Sequence, residues 1–160
     1  MAHAVGVRVP PFAFQWDERV SVIRPILIFR GSFFSPVFLC ESKTYEEAIE
    51  FYCGKLGFIV AEDTQLNIKR WMRLKAPGRK GSEILLSRAV DGKQRACIGN
   101  QTGGRVLFFL HTDNFDADYA RFRLAGIDFA EGPLEAEYGK VAVFKDLYGN
   151  RIDLIEPRAH

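Results

Sequence analysis

The chain has 160 residues, of which 48% are hydrophobic and 14 are phenylalanine, so it is long enough to bury the core of one domain. Its 22 basic and 20 acidic residues give a formal net charge of +2, and no basic stripe favours a nucleic-acid partner. No apolar run approaches the roughly 20 residues that cross a membrane. The three cysteines form no C-x-x-C pair, so we expect reduced thiols in a cytoplasmic protein.

Residues 1–34 differ from the rest of the chain. Prolines and glycines interrupt short apolar pieces there, and no helical period persists. We interpret this segment either as an N-terminal arm that packs on the body or on a partner subunit, or as an accidental extension from an upstream start codon.

A first module is predicted over residues 35–88. Apolar runs predict strands, and a helix between the first and second strand has Ser42 or Thr44 as its N-cap and Gly57 at its end. Apolar residues at three- and four-residue steps give that helix one buried face. The predicted strands are 36–40, 58–61, 70–74 and 83–86, and the predicted helix is 42–57.

The same order returns after a polar connector, 89–104, in a second module that covers residues 105–157. Its predicted strands are 106–112, 127–130, 141–144 and 151–155, and its predicted helix is 114–126. Gly149 and Asn150 tolerate positive φ, so we expect the closing hairpin to reverse there.

The two predicted helices align with each other. Tyr45, Ile49 and Tyr52 lie 70 residues before Phe115, Tyr119 and Phe122, and the offset falls to 69 between Gly57 and Gly126. Two copies of strand-helix-strand-strand-strand form an internal repeat. The repeat predicts an α+β domain over residues 35–157, built from two tandem βαβββ modules.

Two stretches resemble the vicinal oxygen chelate superfamily, which includes glyoxalase I, extradiol dioxygenases and bleomycin-resistance proteins. They are Glu-Glu-Ala-Ile-Glu-Phe-Tyr-Cys-Gly-Lys-Leu-Gly-Phe at 46–58 and Phe-Lys-Asp-Leu-Tyr-Gly-Asn-Arg-Ile-Asp-Leu-Ile-Glu at 144–156. The resemblance implies that each module curls into a mostly antiparallel, half-open sheet around a cavity. It also implies a small-molecule ligand and a homodimer, but it is weak for activity because the superfamily hosts several chemistries.

Metal-dependent members of that superfamily hold a divalent ion at four cavity-facing positions, which are filled by His, Glu or Gln. The resemblance carries these positions to Val37, Leu85, Leu107 and Asp153. Three of the four are aliphatic, so we expect no full metal site and no cofactor. His111 is the one histidine inside the two modules, which argues against the two-His iron site of an extradiol dioxygenase.

Asp153 and His111 are the candidate catalytic residues. Asp153 is a carboxylate between two core aliphatics of a strand, so either it serves a ligand, a metal or a proton transfer, or it forms an inert pair with an arginine such as Arg73. His111 either faces the cavity or helps to cap the second helix. If a metal does bind, Glu83 is the third candidate ligand beside these two residues, and Ni, Zn or Mn is the expected ion.

Six residues are predicted to line the ligand cavity. Trp71 and Arg73 share one strand face, and an aromatic ring beside a guanidinium suits a planar or anionic ligand. The alternative is a core tryptophan and an exposed arginine. The full predicted set is Trp71, Arg73, Leu85, Gln101, Leu107 and Phe109.

Three functions are open at this point, and we favour the first. The first is binding or sequestration of a small hydrophobic, planar or cationic compound in the cavity. The second is a metal-dependent lyase or isomerase that resembles lactoylglutathione lyase. The third is a structural domain whose cavity has closed around its aliphatic residues.

Overall fold

One order of elements occurs twice in the residues that the computed structural model describes, 37–78 and 82–158. The predicted arm, 1–34, lies outside these residues. The first copy contains β1 (Val37–Ser42), α1 (Tyr45–Ile49) with a π-helical continuation (Glu50–Lys55), β2 (Ile59–Leu66), β3 (Lys69–Lys75) and β4 (Glu83–Arg88). After α2 (Gly92–Cys97), the second contains β5 (Val106–His111), α3 (Phe115–Leu124), β6 (Phe129–Ala136), β7 (Gly139–Lys145) and β8 (Arg151–Pro157).

Each copy forms one four-stranded sheet. The strand orders are β1-β4-β3-β2 in the first sheet and β5-β8-β7-β6 in the second. In both sheets the edge pair that contains the first strand is parallel, and the remaining pairs are antiparallel. The predicted fold of two βαβββ modules is therefore confirmed. No helix in the described part of the chain has the length and apolarity that a membrane span requires.

The sequence predicted β2 and β6 too short, at four residues each. Both run for eight residues in the structure. They lie at the outer edge of their sheets, and most of their residues are exposed. Because so few side chains are buried, these strands carry little of the apolar alternation by which strands are recognised.

The connector contains a helix that the sequence analysis missed. The side chain of Asp91 caps α2 by accepting a 2.8 Å hydrogen bond from the backbone N–H of Gln94. None of the residues of α2 is buried, so no apolar face marks the helix in the sequence. An N-cap aspartate was the available signal.

The change of repeat offset from 70 to 69 has a structural counterpart in the helix of the first module. This helix winds as α over Tyr45–Ile49 and as π over Glu50–Lys55. The N–H of Leu56 bonds the carbonyl of Phe51, five residues back, at 3.3 Å. One extra residue between Tyr52 and Gly57 is accommodated in this way, because a π-turn absorbs a one-residue insertion.

The helix of each module and one face of each sheet share a single core. Alternate residues of the central strands point into it, for example Met72 and Leu74 in β3 and Ile152 and Leu154 in β8. Its largest fully buried side chains include Tyr52, Phe115, Phe122 and Phe144. We call the other face of each sheet its outer face, since strand alternation points its side chains away from this core.

A buried carboxylate joins the two modules. Asp146, in the reversal between β7 and β8, accepts a 3.0 Å hydrogen bond from the hydroxyl of Tyr52 in the first module. It also accepts bonds from the backbone N–H of Tyr148 and from the backbone and side chain of Asn150, at 2.8–2.9 Å. Burial raises the pKa of the Cys40 thiol to about 12, so the thiol remains protonated beside the Tyr52 oxygen, 3.4 Å away.

Replacing Tyr52 with Phe removes the donor and leaves one oxygen of a buried carboxylate with fewer partners. We expect Tyr52→Phe to lower the free energy of unfolding by about 1–3 kcal/mol, as measured by urea denaturation. Tyr119→Phe is the matched control, because its partly buried ring packs against the core and its hydroxyl has no hydrogen bond among the described residues. Equal losses in the two variants would contradict this account.

Candidate functional site

The outer face of the second sheet places a carboxylate beside an exposed aromatic ring. In the sheet register, Asp153 of β8 lies opposite Phe109 of β5 on one side and Val143 of β7 on the other. Phe109 is 58% exposed, whereas Asp153 is 8% exposed. Val143 is also buried but does not belong to the shared core. This face therefore combines apolar surface with one sheltered acid.

The carboxylate of Asp153 is able to accept a further hydrogen bond. Its Oδ1 is buried and has no hydrogen-bond partner. Burial raises the pKa of this carboxyl above its usual value; nearby Arg151 opposes the rise and Glu131 adds to it. A buried acceptor without a partner is costly unless a ligand supplies a donor or the carboxyl takes up a proton.

The expected alternative partner of Asp153, Arg73, is bound elsewhere. Its guanidinium forms ion pairs with Glu83 and with Glu62, the latter at 2.7 Å. The inert Asp153–Arg73 pair considered from the sequence is therefore absent. Because both carboxylates lie on Arg73, its charge is compensated within the first sheet, and it is less suited to an anionic ligand than its sequence position indicated.

Trp71 and Leu85 lie on the outer face of the first sheet. Trp71 alternates with the buried Met72 and is 39% exposed. Leu85 lies opposite Arg73 in β3 and Leu39 in β1, and Leu39 is 48% exposed. This sheet thus also presents an aromatic and an aliphatic surface on the side opposite the shared core.

Two other predicted cavity residues have different surroundings. Leu107 packs against the shared core, at a point where a bulge shifts the register between β5 and β8. Gln101 holds the connector in place with two hydrogen bonds. Its side-chain oxygen accepts from the backbone N–H of Glu41 at 3.0 Å, and its backbone N–H donates to the side-chain oxygen of Asn150 at 3.3 Å. Both residues are partly buried and have structural contacts, and their place in a ligand site stays a prediction.

The described residues do not bring the candidate metal ligands together. Within residues 37–78 and 82–158, no three His, Cys, Asp or Glu side chains come together as a metal-binding group. Asp153, His111 and Glu83 are therefore not assembled into the candidate ligand set, and Glu83 is engaged by Arg73. His111 is exposed at the end of β5, beyond the Phe109–Asp153 pair. The side chain of Val37 is outside the described part, and we derive no step that uses a metal.

Sequence reasoning missed a second sheltered carboxylate, Glu41. It lies on the outer face of β1, opposite Ser87 of β4, and is 9% exposed with its Oε2 unpartnered. Burial raises its pKa, and Ser87 opposes the rise. A signal was available, since the 70-residue offset of the repeat pairs Glu41 with His111, a residue already chosen as a candidate.

Comparison with known proteins identifies relatives over most of the chain. A sequence model of the Glyoxalase/Bleomycin resistance protein/Dioxygenase superfamily matches residues 42–154. An uncharacterized protein of Shewanella frigidimarina (strain NCIMB 400) is 51% identical over 114 residues, 70% of this chain and 84% of that protein. The crystal structure of UcmS2 has a TM-score of 0.68 and 27% identity, and the match covers 79% of this chain and 98% of that one.

A further solved structure carries a functional description. It is TnmS3, an antibiotic binding protein from Streptomyces sp. CB03234. The TM-score is 0.63 and the identity 26%, and the match covers 82% of this chain and all of TnmS3.

The raised pKa of Asp153 predicts a pH-dependent effect of its replacement. Because folding raises this pKa above the usual value of 3.8, the ionised carboxylate destabilises the fold at neutral pH, and the cost disappears as the group is protonated. We expect Asp153→Asn to raise the melting temperature near neutral pH and the gain to vanish toward pH ~4. The exposed Glu137 provides a control in Glu137→Gln, which should show no such trend. A gain that is constant with pH would contradict the assignment.

Proposed function

The chain belongs to the Glyoxalase/Bleomycin resistance protein/Dioxygenase superfamily, and we propose that it binds a small, planar, largely apolar organic molecule on its outer sheet faces. The observation that carries the proposal is the pair formed by Asp153 and Phe109. A sheltered carboxylate with a free oxygen lies next to an exposed aromatic ring. Small-molecule sites combine apolar surface with a few placed polar groups in this way.

The aromatic residues supply the contact area. Trp71 and Phe109 are large apolar side chains that remain 39% and 58% exposed. Flat rings stack on such side chains in offset or edge-on arrangements, and the burial of both partners stabilises the complex. This favours a planar ligand over a flexible polar one.

Asp153 supplies orientation. Its unpartnered Oδ1 accepts a hydrogen bond from an N–H or O–H group of the ligand, and a cationic donor makes the stronger bond. Such a contact compensates the cost of burying the carboxylate, which is otherwise unfavourable. The proposal requires no metal and no covalent step. The description of TnmS3 as an antibiotic binding protein is a precedent in the same fold for binding of an organic compound.

We also propose that the protein is a homodimer. The edge strands β1 and β6 expose large apolar side chains, Leu39 at 48% and Leu134 at 63%. Apolar side chains that are exposed in one copy favour burial against a second copy. Sedimentation equilibrium measures the mass directly, and a monomer at all accessible concentrations would contradict the dimer.

The test of binding uses naphthalene-2-carboxamide, a neutral planar probe with an N–H donor. We expect Trp71→Ala and Phe109→Ala each to weaken its binding roughly tenfold, because each removes a stacking surface. Isothermal titration calorimetry gives the affinities. Leu124→Ala is the control, since Leu124 is 91% exposed at the end of α3. An absence of binding, or equal affinities for all variants, would count against the proposal.

A further inference from the structure

A cleft with a basic lining lies at one end of the second sheet. Its volume is about 190 Å³, and it is formed by the connector, the reversal between β7 and β8, and the strand ends next to them. The charged residues that line it are all basic: Arg105, Lys145 and Arg151. No acidic side chain is part of the lining.

The three basic residues come from adjacent strands. Lys145 and Arg151 are a register pair across β7 and β8. Val106, which follows Arg105, is the register partner of Arg151 across β5 and β8. The sheet therefore brings three cations to one end, although Arg105 is distant in sequence from the other two.

The backbone around the cleft is held in place. Gly99 has φ +81, and a Cβ there would lie 2.1 Å from the carbonyl oxygen of Tyr148, so the connector can pack this closely on the reversal only with glycine. The hydroxyl of Thr102 donates to the carbonyl of Arg105 at 2.5 Å. Gly104, at φ +87, has no atom within 4 Å of its Cβ position, which leaves the space beside Arg105 open.

Positive charge is in excess at this end of the sheet. Arg151 pairs with Glu131, and Lys145 lies 3.7 Å from Asp128. Both carboxylates are well exposed, at 61% and 74% of their side chains, and exposed ion pairs are weak enough for another anion to compete. Arg105 has no ion pair with any of the described residues.

The cleft adjoins the face assigned to the ligand. Arg151 and Asp153 are two residues apart on the same strand face, as are Lys145 and Val143. Two residues of a strand span roughly 7 Å, which is about the length of two fused aromatic rings. A planar molecule stacked beside Phe109 can thus extend into the cleft.

We propose that the cleft binds an oxyanion carried by the planar ligand, such as a carboxylate, through Arg105, Lys145 and Arg151. This inference rests on the proposed function and narrows its ligand class to planar aromatic acids. The guanidinium groups of Arg105 and Arg151 match a carboxylate with paired N–H donors, and the Lys145 ammonium adds a point charge.

The experiment compares 6-hydroxynaphthalene-2-carboxylate with 6-hydroxynaphthalene-2-carboxamide, which share the ring system and an O–H donor for Asp153 and differ in charge. We expect the wild-type protein to bind the carboxylate about tenfold more tightly, since charge-assisted hydrogen bonds are roughly twice as strong as neutral ones. Arg105→Gln and Arg151→Gln remove most of this preference, because they weaken binding of the carboxylate far more than binding of the neutral amide. Arg123→Gln is the control on α3, outside the cleft lining, and it keeps the preference.

A variant that is expected to strengthen binding of the carboxylate provides an additional test. Glu131→Gln releases Arg151 from its ion pair, so we expect it to bind the carboxylate more tightly than the wild type does, with no gain for the amide. Raising the salt concentration should weaken the binding of the carboxylate and leave that of the amide unchanged, because exposed charges are screened.

The outcomes separate the two proposals. Equal binding of the two probes by the wild type, or a preference that survives both arginine variants, overturns the anion site and leaves the proposed function intact. If neither probe binds, the proposed function fails, and the cleft is tested alone with inorganic phosphate. Shifts of the backbone amide resonances of Gly104 and Arg151 that Arg105→Gln abolishes would then support the anion site, and an absence of shifts would overturn it.

Discussion

The carboxylate of Asp146 is the contact on which the arrangement of the two modules depends. It is buried, and its two oxygens accept four hydrogen bonds, so its charge is well compensated. One of those bonds comes from Tyr52, in the helix of the other module. The side chain of Asn150 in the same reversal accepts the N–H of Gln101, and Gln101 in turn accepts the N–H of Glu41. These hydrogen bonds fix the start of β8 relative to β1 of the first module.

The alternation of side chains along the strands places core residues on one face of each sheet and the proposed ligand-binding residues on the other. In β8, Ile152 and Leu154 fill the shared core, while Asp153 between them points to the outer face. A shift of register by one residue would bury the acid in the core and expose both aliphatics. The packing of Ile152 and Leu154 in the core therefore keeps Asp153 beside Phe109, and no contact of Asp153 itself is needed to hold it there. The same logic brings Lys145 and Arg151 to the basic cleft, since they alternate in phase with Val143 and Asp153.

Much of this architecture was predictable from the sequence, because the repeat is carried by buried residues. Tyr52 and Phe122 occupy equivalent places in two helices, and both are fully buried. Even the one-residue change of offset had a structural meaning, the π-turn near Gly57. Features without burial were harder to predict: α2 has no buried residue, and the outer strands β2 and β6 are mostly exposed.

The site was predictable only in part, because the partners of charged side chains are set by tertiary structure. Alternation alone indicated that Asp153 is unusual, but it could not reveal that Arg73 is held by Glu62 and Glu83. It also gave no reason to single out Glu41, whose burial depends on strands distant in sequence. The basic cleft was missed because Arg105 and Arg151 become neighbours only through the β5–β8 pairing.

The proposed ligand site lies on the outer faces of the sheets, rather than in the core or on the helices. The most direct measurement is a titration of ¹⁵N-labelled protein with naphthalene-2-carboxamide, followed through the amide resonances. The account predicts shifts that concentrate at Trp71, Phe109 and Asp153 and leave α3 unchanged. Shifts confined to the helices, or no shifts at the solubility limit of the probe, would contradict binding on the outer faces.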